Sequence, residues 1–472
     1  MTPEKSGRCG RPYNVPMNEH RQAHEKRVDM LTKGSLTRGI FSLAMPIIAA
    51  NVLSIAMELT NAFFLGRLGA NALAAITMSQ AVVFFVTTFG SGLSIGTVAL
   101  VSRAYGERNY AKAEHIGTQS LYLGLAVSVV LGTAGVLLSP FLLSLMGARG
   151  EILAMADIYL RFLFGGMFLI YFFFQSMAVF QGAGDTTTPM KIGALSMVLN
   201  IALDPLLIFG LLGAPRLGFA GAAVSTIIAR GVGSVLMARI ILRGKHAVRL
   251  SRELRPDLAV MKKIFLVGFP GSIQLLIRSS SVLVLTRIAA LFEPTVMAAL
   301  GVGNRLFGIF LLPGFGFGAA SSTLVGQNLG ARNPARAEKA ALLTAGYYLM
   351  LITVCAVPLF FFSRSVAAIF NSSEGFVRLA SQFIRYICVG ALFLSPGMVF
   401  SQALQGAGAT VYPMVVAAMT LYGVQIPLTW LLAVHFRMEA HGIWISNLAS
   451  GIVNASLMAS VFFRGKWKEK KL

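Results

Sequence analysis

The chain has 472 residues, 56% hydrophobic and only 12% charged, with a formal net charge of +22, where an ordinary water-soluble domain carries about 25% charged residues. So apolar a chain is not a soluble enzyme, and its basic excess is spread over loops and tails rather than gathered in one patch, so no nucleic-acid partner is needed to account for it. Cys9, Cys355 and Cys388 are too few and too scattered for a disulfide framework or a metal cluster.

Residues 1–37 form a basic segment without an apolar h-region, so it is not a cleaved signal peptide and reads as a loose cytoplasmic tail. Twelve apolar runs follow, at about 40–66, 75–103, 116–147, 155–181, 188–212, 217–243, 264–290, 296–325, 340–370, 376–405, 411–435 and 440–464. Each is long enough to cross a hydrocarbon core of ~30 Å, which takes about 20 residues of helix. None alternates with period 2, so the runs are helices and not barrel strands. Lys and Arg concentrate in the first tail, in the central loop (Arg239, Arg243, Lys245, Arg249, Lys262, Lys263) and after the last run (Arg464, Lys466, Lys468). That bias places both termini in the cytoplasm and the chain in the inner membrane as a multi-pass protein.

The sequence matches itself at one fixed shift, 224 (270 minus 46). Pro46 falls on Pro270, "VSRAYGERNYAKAE" (101–114) on "VGQNLGARNPARAE" (325–338), and "QGAGDTTTPM" (181–190) on "QGAGATVYPM" (405–414), without a gap. The expected fold is therefore an all-α membrane protein with twelve transmembrane helices as two parallel six-helix repeats. The N-lobe covers 38–243, a linker 244–263, the C-lobe 264–464 and a second basic tail 465–472. Such duplication belongs to transporters that work by alternating access.

Intramembrane acids are functional candidates by default, and the spans hold two, Glu58 in the first and Asp204 in the fifth; Asp157 lies near a membrane face. In "LNIALDPLLIFG" (199–210), Asn200 stands one helical turn before Asp204 on the same face. Pro205 has no N–H, which frees the carbonyl of Ile201. The pair offers oxygens to Na⁺, so Asp204 and Asn200 are the metal ligands if the coupling ion is Na⁺, and the carboxylate alone suffices for H⁺. In the C-terminal half the shift sets Leu428 against Asp204 and Val282 against Glu58, so cation coupling is assigned to the N-lobe alone. Arg278, in the seventh span, is a candidate for substrate recognition or gating. The glycines of the two "QGAG" segments, Gly182, Gly184, Gly406 and Gly408, make tight turns, and Asp185 caps the helix that follows.

With these paired segments, "GRLGANALAA" (66–75) and "AALGVGNRLFGIFLLPGFGFGAASSTLVGQNLGA" (298–331), the chain resembles the multidrug and toxic compound extrusion family over about residues 38–464. The resemblance implies a secondary antiporter, a monomer, that exports amphipathic, often cationic, organic compounds in exchange for Na⁺ or H⁺, with no cofactor besides that coupling ion. It further implies a cation site of Asn200, Asp204, an acid near the end of the first helix and a Thr on the sixth, matched by Thr226 with Ser225 as alternative. At the first-helix position this chain has Asn61, and Glu58, three residues earlier, is the candidate replacement.

The competing reading is a flippase for a lipid-linked or other amphiphile; the few interior arginines, Arg230, Arg278, Arg287 and Arg305, are a modest count for a pyrophosphate. A membrane enzyme is disfavoured: the chain has no "GxxxxGK[ST]", no "HExxH" and no His/Cys ligand cluster.

Overall fold

The computed structural model of the chain describes residues 19–243 and 255–470; of residues 19–24 and Phe89 only the backbone is described. The expected helices form in order: α1 (Glu19–Thr32), α2 (Leu36–Gly66), α3 (Ala70–Gly106), α4 (Tyr110–Leu145), α5 (Gly150–Gly165), α6 (Met167–Gly182), α7 (Thr187–Phe209), α8 (Phe219–Arg243), α9 (Leu258–Ala289), α10 (Pro294–Gly330), α11 (Pro334–Phe361), α12 (Ser363–Phe370) and α13 (Glu374–Gly406). The last two are α14 (Val411–His435) and α15 (Glu439–Phe463). Among the described residues eleven helices are long and apolar enough to span a membrane, and α5 with α6, bent by 53° at their junction, make the twelfth.

The repeat read from the sequence is a repeat of structure. The limits of α3, shifted by 224, are the limits of α10, and the start of α5 and the end of α6 fall on the two ends of α13. The "GERN" and "GARN" turns fold alike: Arg108 and Arg332 both take φ 56°. The next residues, Asn109 and Asn333, each accept a backbone N–H at 3.0 Å, from Lys112 and Arg336, capping α4 and α11. Gly184 and Gly408, at φ 82° and 75°, close the paired "QGAG" turns where a side chain would be strained. Where the halves differ, local sequence explains it. Gly165-Gly166 break α5 from α6, and a Cβ on Gly166 would lie 2.8 Å from Ile227, whereas Val389-Gly390 leave α13 continuous. In α14, Met419–Gln425 and Trp430–His435 widen into π-helix beside Pro427, which cannot donate to the ladder.

The lobes exchange their first helices. Leu36, Ile40, Leu43 and Ala44 of α2 belong to the core of α10, α11 and α13, while Leu65, at the other end of the same helix, belongs to the core of α3, α5 and α8. Reciprocally, Ile264 of α9 sits in the core of α3, α4 and α6 and Ala289 in that of the C-lobe. Pro46 and Pro270 lie inside these helices, near where each passes between lobes, and a proline there permits the bend.

Close packing joins the lobes at the end that carries α1, called here the tail end. A Cβ on Gly92 would fall 2.7 Å from the Gly268 carbonyl, and one on its counterpart Gly316 would fall 2.9 Å from the Ala44 carbonyl. Further toward the tail, Gly106 meets Gln327 and Gly330 meets Arg103, each within 2.1 Å of a Cβ position. Only glycine lets helix backbones approach so closely. Toward the far end, Ile55, Leu59 and Phe63 of α2 and Val282 and Leu283 of α9 are exposed.

Two expectations are corrected, and the C-terminal tail proves ordered. The tail expected to be loose contains α1, because Val28 and Leu31 bury into the lobe seam and Asn328 donates to the Leu31 carbonyl at 3.3 Å; residues 1–18 lie outside the described set. The linker is shorter than 244–263, since Asp257 caps α9 by accepting the N–H groups of Ala259 and Val260 at 3.0 and 3.1 Å; residues 244–254 are outside the described set. The C-terminal tail folds back, with the Trp467 indole buried and donating to the Phe462 carbonyl at 2.8 Å.

Candidate functional site

Asp204 is fully buried and Asn200 is 1% exposed, one turn apart on the same face of α7. The face is met by α8 because Gly221 allows it: a Cβ there would fall 2.5 Å from the Leu207 carbonyl. From that crossing the two helices run antiparallel, and Ser225, one turn after Gly221, reaches Asp204. The Ser225 hydroxyl donates to Asp204 Oδ1. The Asn200 amide donates to Ser225 at 3.3 Å and to Thr226 at 3.4 Å. Further along the same pair of helices, Ser196 donates to the Ala229 carbonyl at 2.6 Å.

Three acceptor oxygens in this part of the N-lobe are buried without a hydrogen-bond donor: Asp204 Oδ2, Asn200 Oδ1 and Asn61 Oδ1. Asn61 lies level with the site along its helix. Thr186, just before α7, donates to the Ser42 carbonyl of α2 at 3.3 Å, and the two helices run parallel from there. Asn61 is then nineteen residues along (61 minus 42) and Asp204 eighteen (204 minus 186), so the two lie at equal depth. Asn61 is buried. Glu58 lies exposed on α2 and forms no ion pair among the described residues.

Tyr159 of α5 was not foreseen. It is buried against Phe219, ring centroids 5.4 Å apart, and lies near enough to Asp204 to interact with its charge. No sequence signal marks it, because only the packing of α5 on α8 brings it there. Asp157, two residues earlier, is engaged elsewhere: Ser139 donates to it, and Arg161 Nε lies 2.8 Å away.

Asp185 is a structural acid, 3% exposed. Its oxygens accept the Thr188 backbone N–H at 3.1 Å and the Thr188 hydroxyl at 2.8 Å, and Arg27 of α1 pairs with it at 3.0 Å. The turn glycines are structural as well. A Cβ on Gly406 would fall 2.1 Å from the Ser322 carbonyl, and one on Gly182 2.9 Å from Val101. Arg278 is partly buried in α9. Arg230, in α8, lies over the rings of Phe173 and Phe174 at 5.2 and 5.6 Å. Among the described residues no cluster of three or more His, Cys, Asp or Glu is placed to hold a metal.

The chain matches the MatE family model over residues 46–206 and 270–431, once in each half. It is 27% identical over 438 residues to the probable multidrug resistance protein NorM of Thermotoga maritima, covering 92% of this chain and 94% of that one. To the probable multidrug resistance protein YoeA of Bacillus subtilis it is 26% identical, covering 93% and 96%. Its fold is that of a solved MATE transporter in the bent conformation, with a TM-score of 0.87 at 24% identity, covering 93% of this chain and 97% of the other.

Proposed function

The chain belongs to the MatE family, a family of multi-pass membrane transporters and not of enzymes, and from that premise we propose that it is a secondary active antiporter. It exports amphipathic, often cationic, organic compounds in exchange for H⁺ or Na⁺ by alternating access, as a monomer in the inner membrane with both termini cytoplasmic. The names of its relatives, multidrug resistance proteins, support drug export. The observation that carries the coupling reading is the set of donorless oxygens at Asp204, Asn200 and Asn61. A buried acceptor without a donor costs about 1–3 kcal/mol, and a proton on Asp204 or a hard cation among these oxygens removes that cost. Such a group binds in one conformation and is released when the lobe opens to the other side.

The test uses purified protein in liposomes loaded with an organic cation such as ethidium, with a Na⁺ gradient and a pH gradient imposed separately. One gradient is expected to drive ethidium movement in the wild type and to fail in Asp204→Asn, whose thermal unfolding remains that of a folded protein. Exchange at the wild-type rate in that variant would sink the site assignment.

A further inference from the structure

Arg278 stands about two-thirds of the way along α9 (Leu258–Ala289) but at the centre of the apolar run 264–290, with roughly 18 Å of helix axis to the nearer end of that run. That is too far for the guanidinium to reach either membrane face by snorkelling. It is partly buried and forms no ion pair among the described residues. The C-lobe holds no carboxylate that could balance it. Residues 258–472 contain no Asp, and their Glu residues, Glu293, Glu338, Glu374, Glu439 and Glu469, all stand at helix ends or in the tail. Two of these are already engaged, Glu338 with Lys468 at 2.7 Å and Glu374 with Arg364 at 2.6 Å. An unpaired cation at this depth is costly enough to mark a functional position.

The surroundings suit an anion. Gln274, one turn from Arg278 on the same face, is buried and donates to Ser401 of α13 at 3.3 Å, while accepting from Gln405 at 2.8 Å. This stripe of α9 therefore looks into the C-lobe. Two residues further along α9, and on a different face of it, Ser280 accepts from the Tyr422 hydroxyl of α14 at 2.7 Å; Tyr422 stands in the middle of the π-helical stretch Met419–Gln425, and π-bulges recur at functional sites. That stretch is the repeat counterpart of residues 195–201, which include Asn200 of the cation site. The two lobes thus carry opposite charge on different helices of the repeat: Asp204 on α7, whose counterpart is α14, and Arg278 on α9, whose counterpart is α2.

We infer that the C-lobe contains an anion subsite centred on Arg278 that takes the carboxylate of an amphiphilic substrate, so that the preferred substrates join a cationic or aromatic body to a carboxylate. This rests on the export reading above and narrows its substrate class. One guanidinium suits one carboxylate, by charge-assisted and bidentate hydrogen bonds.

Equilibrium binding to full-length protein in lipid nanodiscs, with no ion gradient, tests the inference apart from antiport. The probes are rhodamine B, which has a free carboxylate, and its ethyl ester, the same cationic ring system with the carboxylate masked. Arg278→Gln is expected to weaken rhodamine B binding about tenfold, the loss of one charge-assisted contact, and to leave the ester unchanged. Arg278→Lys is expected to restore part of the loss and guards against a folding artefact. Equal loss for both dyes, or loss for neither, overturns the inference. If instead Arg278→Gln removes only a chloride-dependent thermal stabilisation and neither dye is affected, the site belongs to an inorganic anion and the substrate assignment falls. Rhodamine B bound through Arg278 but exchanged under neither gradient would sink the antiport proposal and leave the subsite standing.

Discussion

Arg27 and Asp185 form an ion pair at 3.0 Å that ties α1 to the turn between α6 and α7. Asp185 is 3% exposed on its side chain and Arg27 35%, so the pair is partly screened and contributes about 1 kcal/mol at most. In the C-lobe the same turn is made with Ala409, so the turn itself does not need an acid. Asp185→Asn is expected to keep the acceptor for Thr188 and to lose the hold on Arg27. In hydrogen exchange, amides of α1 should lose protection while those of α7 keep it; continued protection of α1 would show that Val28 and Leu31 alone anchor the helix.

Ser225 donates to Asp204, and Thr226 touches only Asn200 in this network. Ser225→Ala leaves a buried carboxyl oxygen without its donor, at a cost of about 1–3 kcal/mol, and is expected to slow gradient-driven exchange about tenfold or more. Thr226→Val should slow it less. Equal effects in the liposome assay would mean that the two hydroxyls act as one unit on Asn200.

The seam between the lobes depends on missing side chains. Gly92→Val would place a Cβ 1.9 Å from the Ser272 hydroxyl and 2.7 Å from the Gly268 carbonyl, and neither backbone can yield without parting α3 from α9. The expected result is a lower melting temperature and a tail end that no longer closes. A cysteine introduced at Ser102, buried in the wild type, should then react with a membrane-impermeant maleimide added from the tail side. Unchanged protection would show that the seam tolerates the bulk.

Asp257 caps α9 beside His115, whose ring nitrogen lies 3.1 Å away. That hydrogen bond, with the N–H groups of Val260 and Ala259, holds the Asp257 carboxyl below the usual carboxylate range. A depressed folded-state value means that the cap's contribution is fully present above the unfolded value, about pH 3.9, and is lost as pH falls through the folded one. The first turn of α9 should therefore stay protected from hydrogen exchange down to about pH 4 and open only below it. Asp257→Asn should remove this acid transition.

The twelve spans were legible because a membrane accepts only long apolar helices, and the two-lobe organisation because the 224-residue shift is gapless from Pro46 to Met414. The Asn200–Asp204 face was legible because both residues lie on one helix at one-turn spacing. What the sequence could not supply was contact between distant elements. Asn61 and Glu58 sit on nearly the same face of α2, and only the packing of that helix buries one and exposes the other. Tyr159 and Gly221 matter through the helices they meet. The burial of α1 was hidden because its apolar residues, few and set among charges, find their partners in a seam that neither half makes alone.

The exchange of α2 and α9 between lobes bears on how such a chain can be cut. Severed in the linker, each fragment would display an apolar groove moulded for the opening helix of the other, and its own opening helix would have lost its seat. Neither piece is a stand-alone domain, and co-expressed halves should recover the fold only by reassociating. The same geometry suits a single six-helix ancestor pairing with its twin about a two-fold axis, each copy lending the other its first helix. Fusion of two such genes would have made that loan permanent and freed the copies to diverge, one keeping an acid where the other has Leu428.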